Sequence, residues 1–281
     1  MSQIVNVTGV TQVTNVQVEA AIQKLVFVLG GVGTLAQLQA VTIEVRKVGQ
    51  QEGTSTLIFE GPLQNYIEMD AQLENGTFQV FANNLIGSVT IARDNSMYIG
   101  QGDNLTLNIK NLIATMTVNV YGLETKMISR SYAKFMPMNI PGIAPKRQKV
   151  TFEDVLFVPN DGTITEVQVM YKGRTVTYQL AELQAINRSV RSVISPNYGG
   201  AVYAGFVNWL GFNLKDVVEI ELQPSNTNVN TNFYMVDAMV IMEEQGRVMI
   251  VNKNPALVDS TKKDFGGVKN VGVMSGPKAM R

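Results

Sequence analysis

The chain has 281 residues, 23 of them basic and 23 acidic, with no histidine and no cysteine. The missing cysteine excludes disulfides, thiolate metal ligands and cysteine nucleophiles, and the missing histidine removes the commonest general base and zinc ligand. A neutral chain of only 16% charged residues exerts no overall pull toward nucleic acid or a membrane, and its length suits one large domain or two ordinary ones.

The first thirty residues lack the basic start and cleavage site of a secretory signal, and no apolar run reaches the roughly eighteen residues that span a bilayer. The product is therefore expected to be made and folded in a cytoplasm. From Lys24 onward, short runs alternate apolar and polar residues: "KLVFVL", "VTIEVRKV", "TSTLIFE", "TFQVFA", "SVTIAR", "NLTLNIK", "TMTVNVYG", then "DVLFVP", "TEVQVMY", "RTVTYQL", "DVVEIELQ" and "NFYMVDAMVI". They are rich in Val, Ile, Thr, Tyr and Phe and are separated by turn signals such as "ENGT", "PNDGT" and "YKGR". The pattern predicts an all-β sandwich or barrel. Helical signals are short: "LAQLQA" near residue 38, "GPLQNYIEMDAQ" from Gly61 and "LAELQAINRSVRSV" from Leu180. They are too few to clothe a parallel sheet, so the strands are expected to be antiparallel.

Near the N-terminus, Gly31-Val32-Gly33-Thr34-Leu35-Ala36 follows a strand and matches the G-x-G-x-x-G/A pattern that cradles a pyrophosphate. Only Thr34 to Ala40 remain for a helix before the next strand, under two turns, and a loop whose glycines supply turn conformations is the better reading.

An order of events recurs along the chain. "KLVFVLGGVGT", "VTIEVRKVG", "TSTLIFEGPLQNYIEM", "GDNLTLNI" and "ATMTVNVYG" are answered by "DVLFVPNDGT", "TEVQVMYKG", "TVTYQLAELQAINRSV", "LKDVVEIEL" and "NFYMVDAMVI", roughly 110 to 130 residues later. Two readings fit: a structural duplication, or the general likeness of any two β-sandwich segments. Under the first, two barrels of about a hundred residues meet at a joint over 123–150. That joint holds Pro137, Pro141 and Pro145 and six basic residues against one acidic. From Lys253 to Arg281 six basic residues face two acidic ones, so the connectors are basic and the remainder acidic. Either solvated linkers simply carry lysine, or these connectors lie against something anionic.

Candidate chemistry is sparse. Serine hydrolysis would need a Ser–Lys pair, and no such motif is present. Acidic residues neighbour one another at Glu153 and Asp154, at Asp216, Glu219 and Glu221, and at Glu243 and Glu244. Glu219 and Glu221 alternate with Val218, Ile220 and Leu222, which reads as a solvated sheet face more than as a metal or paired-carboxylate site. Tyr203, Phe206, Trp209 and Phe212 fall at steps of three, as on one side of a short helix or a tightly wound loop. They are candidates for core packing, for an intersubunit contact or for a membrane-facing loop.

The segment "DGTITEVQVMYKGRTVTYQLAELQAI", with an alternating strand, a tight "YKGR" turn, another strand and then a helix, is similar in layout to the double jelly-roll major capsid proteins of tailless icosahedral bacteriophages. Among these the chain most resembles the small corticovirus and finnlakevirus members. The resemblance implies an all-β fold of two tandem jelly-roll domains, antiparallel β-sandwiches with short helices in loops. It is divided as an N-terminal arm over 1–24, a first jelly roll over 25–125, a Pro-rich basic linker over 126–150, a second jelly roll over 151–252 and a basic tail over 253–281. It further implies a pseudo-hexagonal homotrimer that tiles an icosahedral shell, with penton or spike proteins and an internal viral membrane as further partners and the virion as location. No catalytic residue, cofactor, metal or specific nucleic-acid site is implied. Tyr203, Phe206, Trp209 and Phe212 become candidate interface residues. Lys146, Arg147, Lys149, Lys262, Lys263, Lys269 and Lys278 become candidate contacts to membrane or neighbours, each worth on the order of 1 kcal/mol against anionic headgroups. The competing functions are a phage fibre, spike or carbohydrate- or receptor-binding β-sandwich and, third, a nucleotide-dependent enzyme.

Overall fold

The computed structural model describes residues 1–18, 20–31, 35–49, 55–74, 78–81, 84–93, 95–97, 99, 102–129, 131–190, 197–198, 201–202, 208–242 and 248–250. The first half contains β1 (Ser2–Thr8), β2 (Val13–Val18), β3 (Lys24–Gly30), α1 (Leu35–Ala40), β4 (Thr42–Val48), β5 (Ser55–Pro62), α2 (Leu63–Glu74), β6 (Phe78–Phe81), β7 (Asn84–Thr90), β8 (Ser96–Met97), β9 (Asn104–Lys110) and β10 (Thr117–Leu123). The second contains β11 (Ile128–Ser129), β12 (Ser131–Pro141), β13 (Lys146–Lys149), β14 (Val155–Pro159), β15 (Ile164–Tyr171), β16 (Arg174–Gln179), α3 (Leu180–Val190), β17 (Asn197–Tyr198), β18 (Ala201–Val202), β19 (Trp209–Asn213), β20 (Val217–Pro224), β21 (Asn230–Met242) and β22 (Val248–Ile250).

In the first half one sheet runs β1-β10-β3-β7, extended by β6, and the other runs β2-β9-β4-β5. In the second half the sheets run β12-β21-β14-β19 and β13-β20-β15-β16. Counting the eight shared strands of each half in chain order, both halves read 1-8-3-6 and 2-7-4-5. All these pairings are antiparallel. This is the jelly roll, twice in one chain. The helices keep place too, since α2 and α3 each follow the fifth of these strands. All five pairs of matching segments in the sequence fall on equivalent elements.

Strand alternation does the work that the sequence suggests. Along β3, Leu25, Phe27 and Leu29 are buried, while Lys24, Val26 and Val28 are half-exposed on the other face. The strands on either side of the glycine-rich segment are not parallel neighbours. β3 and β4 belong to different sheets and α1 has six residues, so the crossover between parallel neighbours that such a site requires is absent. Gly31, at φ 70°, passes so close to Thr115 that a Cβ would lie 2.2 Å from its carbonyl oxygen. Gly33 lies outside the described residues.

Two expectations are corrected. Residues 1–24 are not an arm, because they supply β1 and β2, and residues 126–150 are not a connector, because they supply β11, β12 and β13. β1 and β12 occupy the same edge of the first sheet in their barrels, and β2 and β13 the same edge of the second. The prolines fit this placement. Pro137 and Pro141, four residues apart on edge strand β12, turn the same side of the backbone to the open edge, where a missing N–H breaks no ladder. The tail over 253–281 lies outside the described residues.

Candidate functional site

The two sheets of the second barrel are used differently. On β12, β14, β19 and β21, inward residues such as Met136, Leu156, Val158, Leu210, Phe233 and Met235 fill the second barrel. Their outward neighbours Phe135, Phe157, Trp209, Tyr234 and Val236 belong to one continuous core with the first barrel. A sheet buried on both faces joins the halves.

What it packs on is α2. Leu63, Tyr66, Ile67 and Met69 are fully buried, and the helix wedges against β7 at Gly87, where a Cβ would come within 2.3 Å of Ile67. Tyr66 is the hub of an aromatic cluster, with ring centroids 4.9 Å from Phe59, 5.4 Å from Phe135 and 5.9 Å from Tyr234. Trp209 extends the cluster, 4.9 Å from Tyr234 and edge-on to it. Each such pair contributes about 0.5–1.5 kcal/mol beyond the area it buries. The Tyr66 hydroxyl donates to the Glu60 carbonyl, and Asn65 Nδ2 donates to the Tyr234 hydroxyl at 3.4 Å.

Polar groups pin the seam. Glu68 is 3% exposed, and its carboxylate accepts from Gln64 Nε2 at 2.8 Å, Asn208 Nδ2 at 2.7 Å and the Asn208 backbone N–H at 3.2 Å. Gln72 Nε2 donates to the Trp209 carbonyl at 2.7 Å. One residue pair along, Asn187 of α3 accepts from the Gly211 N–H at 3.1 Å and donates to its carbonyl at 3.2 Å. The outer edge of β19 is thus sealed by side chains from both helices, which blunts an edge that would otherwise recruit another strand.

Burial disfavours the ionised form of several groups here. Burial pushes the Tyr66 phenol well above its ordinary value, with Tyr234 adding to the effect, and raises Tyr234 against the hydrogen bond from Asn65. Tyr132 is pushed up to about 12 by burial, with Asp237 contributing. Burial also raises the Glu68 carboxyl, while its hydrogen bonds from Gln64 and Asn208 work against the rise. Burial thus works against the phenolate at Tyr66, Tyr132 and Tyr234. Among the described residues no three acidic side chains gather as a metal site, and no helix is long and apolar enough to cross a membrane.

The aromatic steps of three do not form a helix face. Trp209 and Phe212 lie on strand β19 and point to opposite faces, Trp209 into the seam at 6% exposure and Phe212 toward the second barrel, 5.2 Å from Tyr178. Trp209 is thus covered by its own chain. Tyr203 and Phe206 lie outside the described residues. The basic strand β13 is likewise answered from within. Arg147 pairs with Glu221 across the β13–β20 ladder, and Lys149 stands opposite Glu219. Those carboxylates, read from sequence as a solvated face, face the basic edge strand. Lys262, Lys263, Lys269 and Lys278 lie outside the described residues. The seam itself escaped the sequence reading, although "LQNYIEMDAQ" carries its signal: a helix with Gln64, Glu68 and Asp70 set among apolar residues, all three buried.

No protein-family model matches the chain, and no curated protein does. Solved structures do. The crystal structure of the STIV major capsid protein matches with a TM-score of 0.53 at 12% identity, covering 84% of this chain and 93% of that one. The atomic structure of Sulfolobus Turreted Icosahedral Virus matches with a TM-score of 0.50 at 12% identity, covering 94% of each chain. At that identity the likeness is one of fold. The chain has the fold of these viral capsid structures, two jelly rolls in tandem within one polypeptide.

Proposed function

We propose that this protein is a viral structural protein, a major capsid subunit that self-assembles as a pseudo-hexagonal homotrimer into an icosahedral shell. One observation carries the reading: two barrels of identical strand order are fused through the buried aromatic part of one sheet's outer face, so that the chain forms a double block. Three such blocks present six barrels, enough for a hexagonal outline from one gene product. The fold likeness to capsid structures supports it. The narrower kinship with corticovirus and finnlakevirus proteins rests on the layout of the chain, with residues 161–186 as its quoted segment.

In this reading the protein is made in a bacterial host cytoplasm and resides in the virion beside penton or spike proteins. The basic residues from Lys253 onward lie against the anionic headgroups of an internal membrane or bridge neighbouring trimers. A protein shortened before Lys253 that still assembles into normal, membrane-containing particles would count against that role. The central test is electron microscopy of the purified protein together with its mass in solution. Triangular or hexagonal trimers are expected, and a monodisperse monomer overturns the proposal.

A further inference from the structure

The aromatic seam joins the barrels through two surfaces, and each of these surfaces has an equivalent that is used differently. The second barrel offers the outer face of β12-β21-β14-β19, and the first barrel offers the side built from β5 and α2. The equivalent of that side in the second barrel is β16 and α3. There Ala181, Glu182, Ala185 and Ile186 are exposed, Ile186 by 38%, while Tyr178 of β16 turns toward the second barrel's own core and Thr175, Thr177 and Gln179 of that strand are exposed. In α2, by contrast, every residue from Ile67 to Ala71 is buried. The equivalent of the covered sheet face is the outer face of β1-β10-β3-β7. It carries Val26, Val28, Ile86 and Tyr121, all half-exposed and in register with one another: Val26 opposite Tyr121 on β10, and Val28 opposite Ile86 on β7.

We propose that these two faces are each other's partners between copies of this chain: the β1-β10-β3-β7 face of one copy docks on the α3 and β16 side of the next. The inference rests on the self-assembly proposed above and assigns its surfaces. The argument is continuity with the contact already made inside the chain. A face with this strand order and an apolar outer row packs on the side formed by the fifth strand and its following helix. One copy of each remains available on every subunit. Such a contact is head to tail, with different surfaces on the two partners, and it closes into a ring when the rotation permits. Burying Val26, Val28 and Tyr121 against Ile186 and Ala185 supplies the apolar centre that a stable interface needs.

The test uses the full-length chain, whose lack of cysteine makes introduced thiols unique. Solution mass is measured first for the unaltered protein, then for Val28→Asp and Ile186→Asp, with folding checked by the fluorescence of Trp209. A trimer that falls to monomer in both folded variants is the expected result. A second measurement does not depend on those variants folding. Val28→Cys, Ile186→Cys and the double variant are treated, as assembled, with a bis-maleimide. Covalent dimers and trimers are expected from the double variant alone. If the unaltered protein is a monomer, the proposed function falls. If it is a trimer that resists both aspartates, or if the assembled double variant gives no cross-linked species, this inference is overturned while the proposed function stands.

Discussion

Asn208 gives both its backbone N–H and its side-chain amide to the buried carboxylate of Glu68, 140 residues earlier in the chain. Glu68 sits on α2 of the first jelly roll and Asn208 immediately before β19 in the second, so this one carboxylate ties the two barrels together. Asn208→Ala removes the shorter of the two bonds and leaves Gln64 and a backbone N–H. The expected loss is about 1–2 kcal/mol, since hydrogen bonds to a charged acceptor are worth about 1.5–3 kcal/mol and water reaches the exposed Asn208 position in part. Urea unfolding of the two proteins at one pH measures it.

The same carboxyl makes stability depend on pH in a specific direction. Burial raises the pKa of Glu68 in the folded protein above its ordinary value of 4.5, so the folded state holds its proton more tightly than the unfolded chain. Its contribution is therefore fully present below the unfolded pKa and is lost as pH rises through the folded one. Glu68→Gln abolishes that dependence. Unfolding free energies measured at about pH 4 and about pH 7 are expected to show the unaltered protein losing stability relative to the glutamine variant at the higher pH. A relative gain would mean that the hydrogen bonds outweigh burial.

Tyr66 touches Phe59, Phe135 and Tyr234 at once, and Tyr66→Ala is expected to cost about 3–5 kcal/mol. The single tryptophan lies in the seam and reports on it directly. In the unaltered protein the Trp209 fluorescence and the far-ultraviolet dichroism should change together on denaturation. In Tyr66→Ala the fluorescence transition should come first, because the barrels part before either loses its strands.

Gly87→Ala sets a methyl against Ile67, whose Cγ2 lies 2.3 Å from the Cβ position. Overpacking of this kind costs about 1–3 kcal/mol. Shortening the opposing residue should restore part of it. A double-mutant cycle with Ile67→Ala is expected to return a favourable coupling, the alanine at 87 being less harmful when Ile67 is also cut back.

Arg147→Gln is expected to leave stability almost unchanged, because the Arg147 side chain is exposed and its pair with Glu221 is screened by solvent. Thermal unfolding at low and high salt measures it, and the small difference should shrink further as salt rises.

The strands that enclose each core were legible because their burial alternates: Leu25, Phe27 and Leu29 on β3 and Val118 and Val120 on β10 announce a one-sided sheet, and the strand-then-helix order at α2 and α3 repeats with them. Edge strands announce themselves less. β13, as "KRQK", owes its place to backbone hydrogen bonds with β20, which no side-chain period encodes, and an edge tolerates the prolines that made residues 126–150 resemble a connector. β19 misled for the opposite reason. With Trp209 in the seam and Leu210 and Phe212 in the second core, both its faces are apolar, and a strand buried on both sides loses the alternation that identifies it. Local sequence thus determined that the chain is antiparallel β and showed a recurring order of segments, which two readings fitted. Only the tertiary structure decided which faces meet, because an apolar outer row on a sheet is the same in sequence whether it covers a helix of its own chain or is left for another.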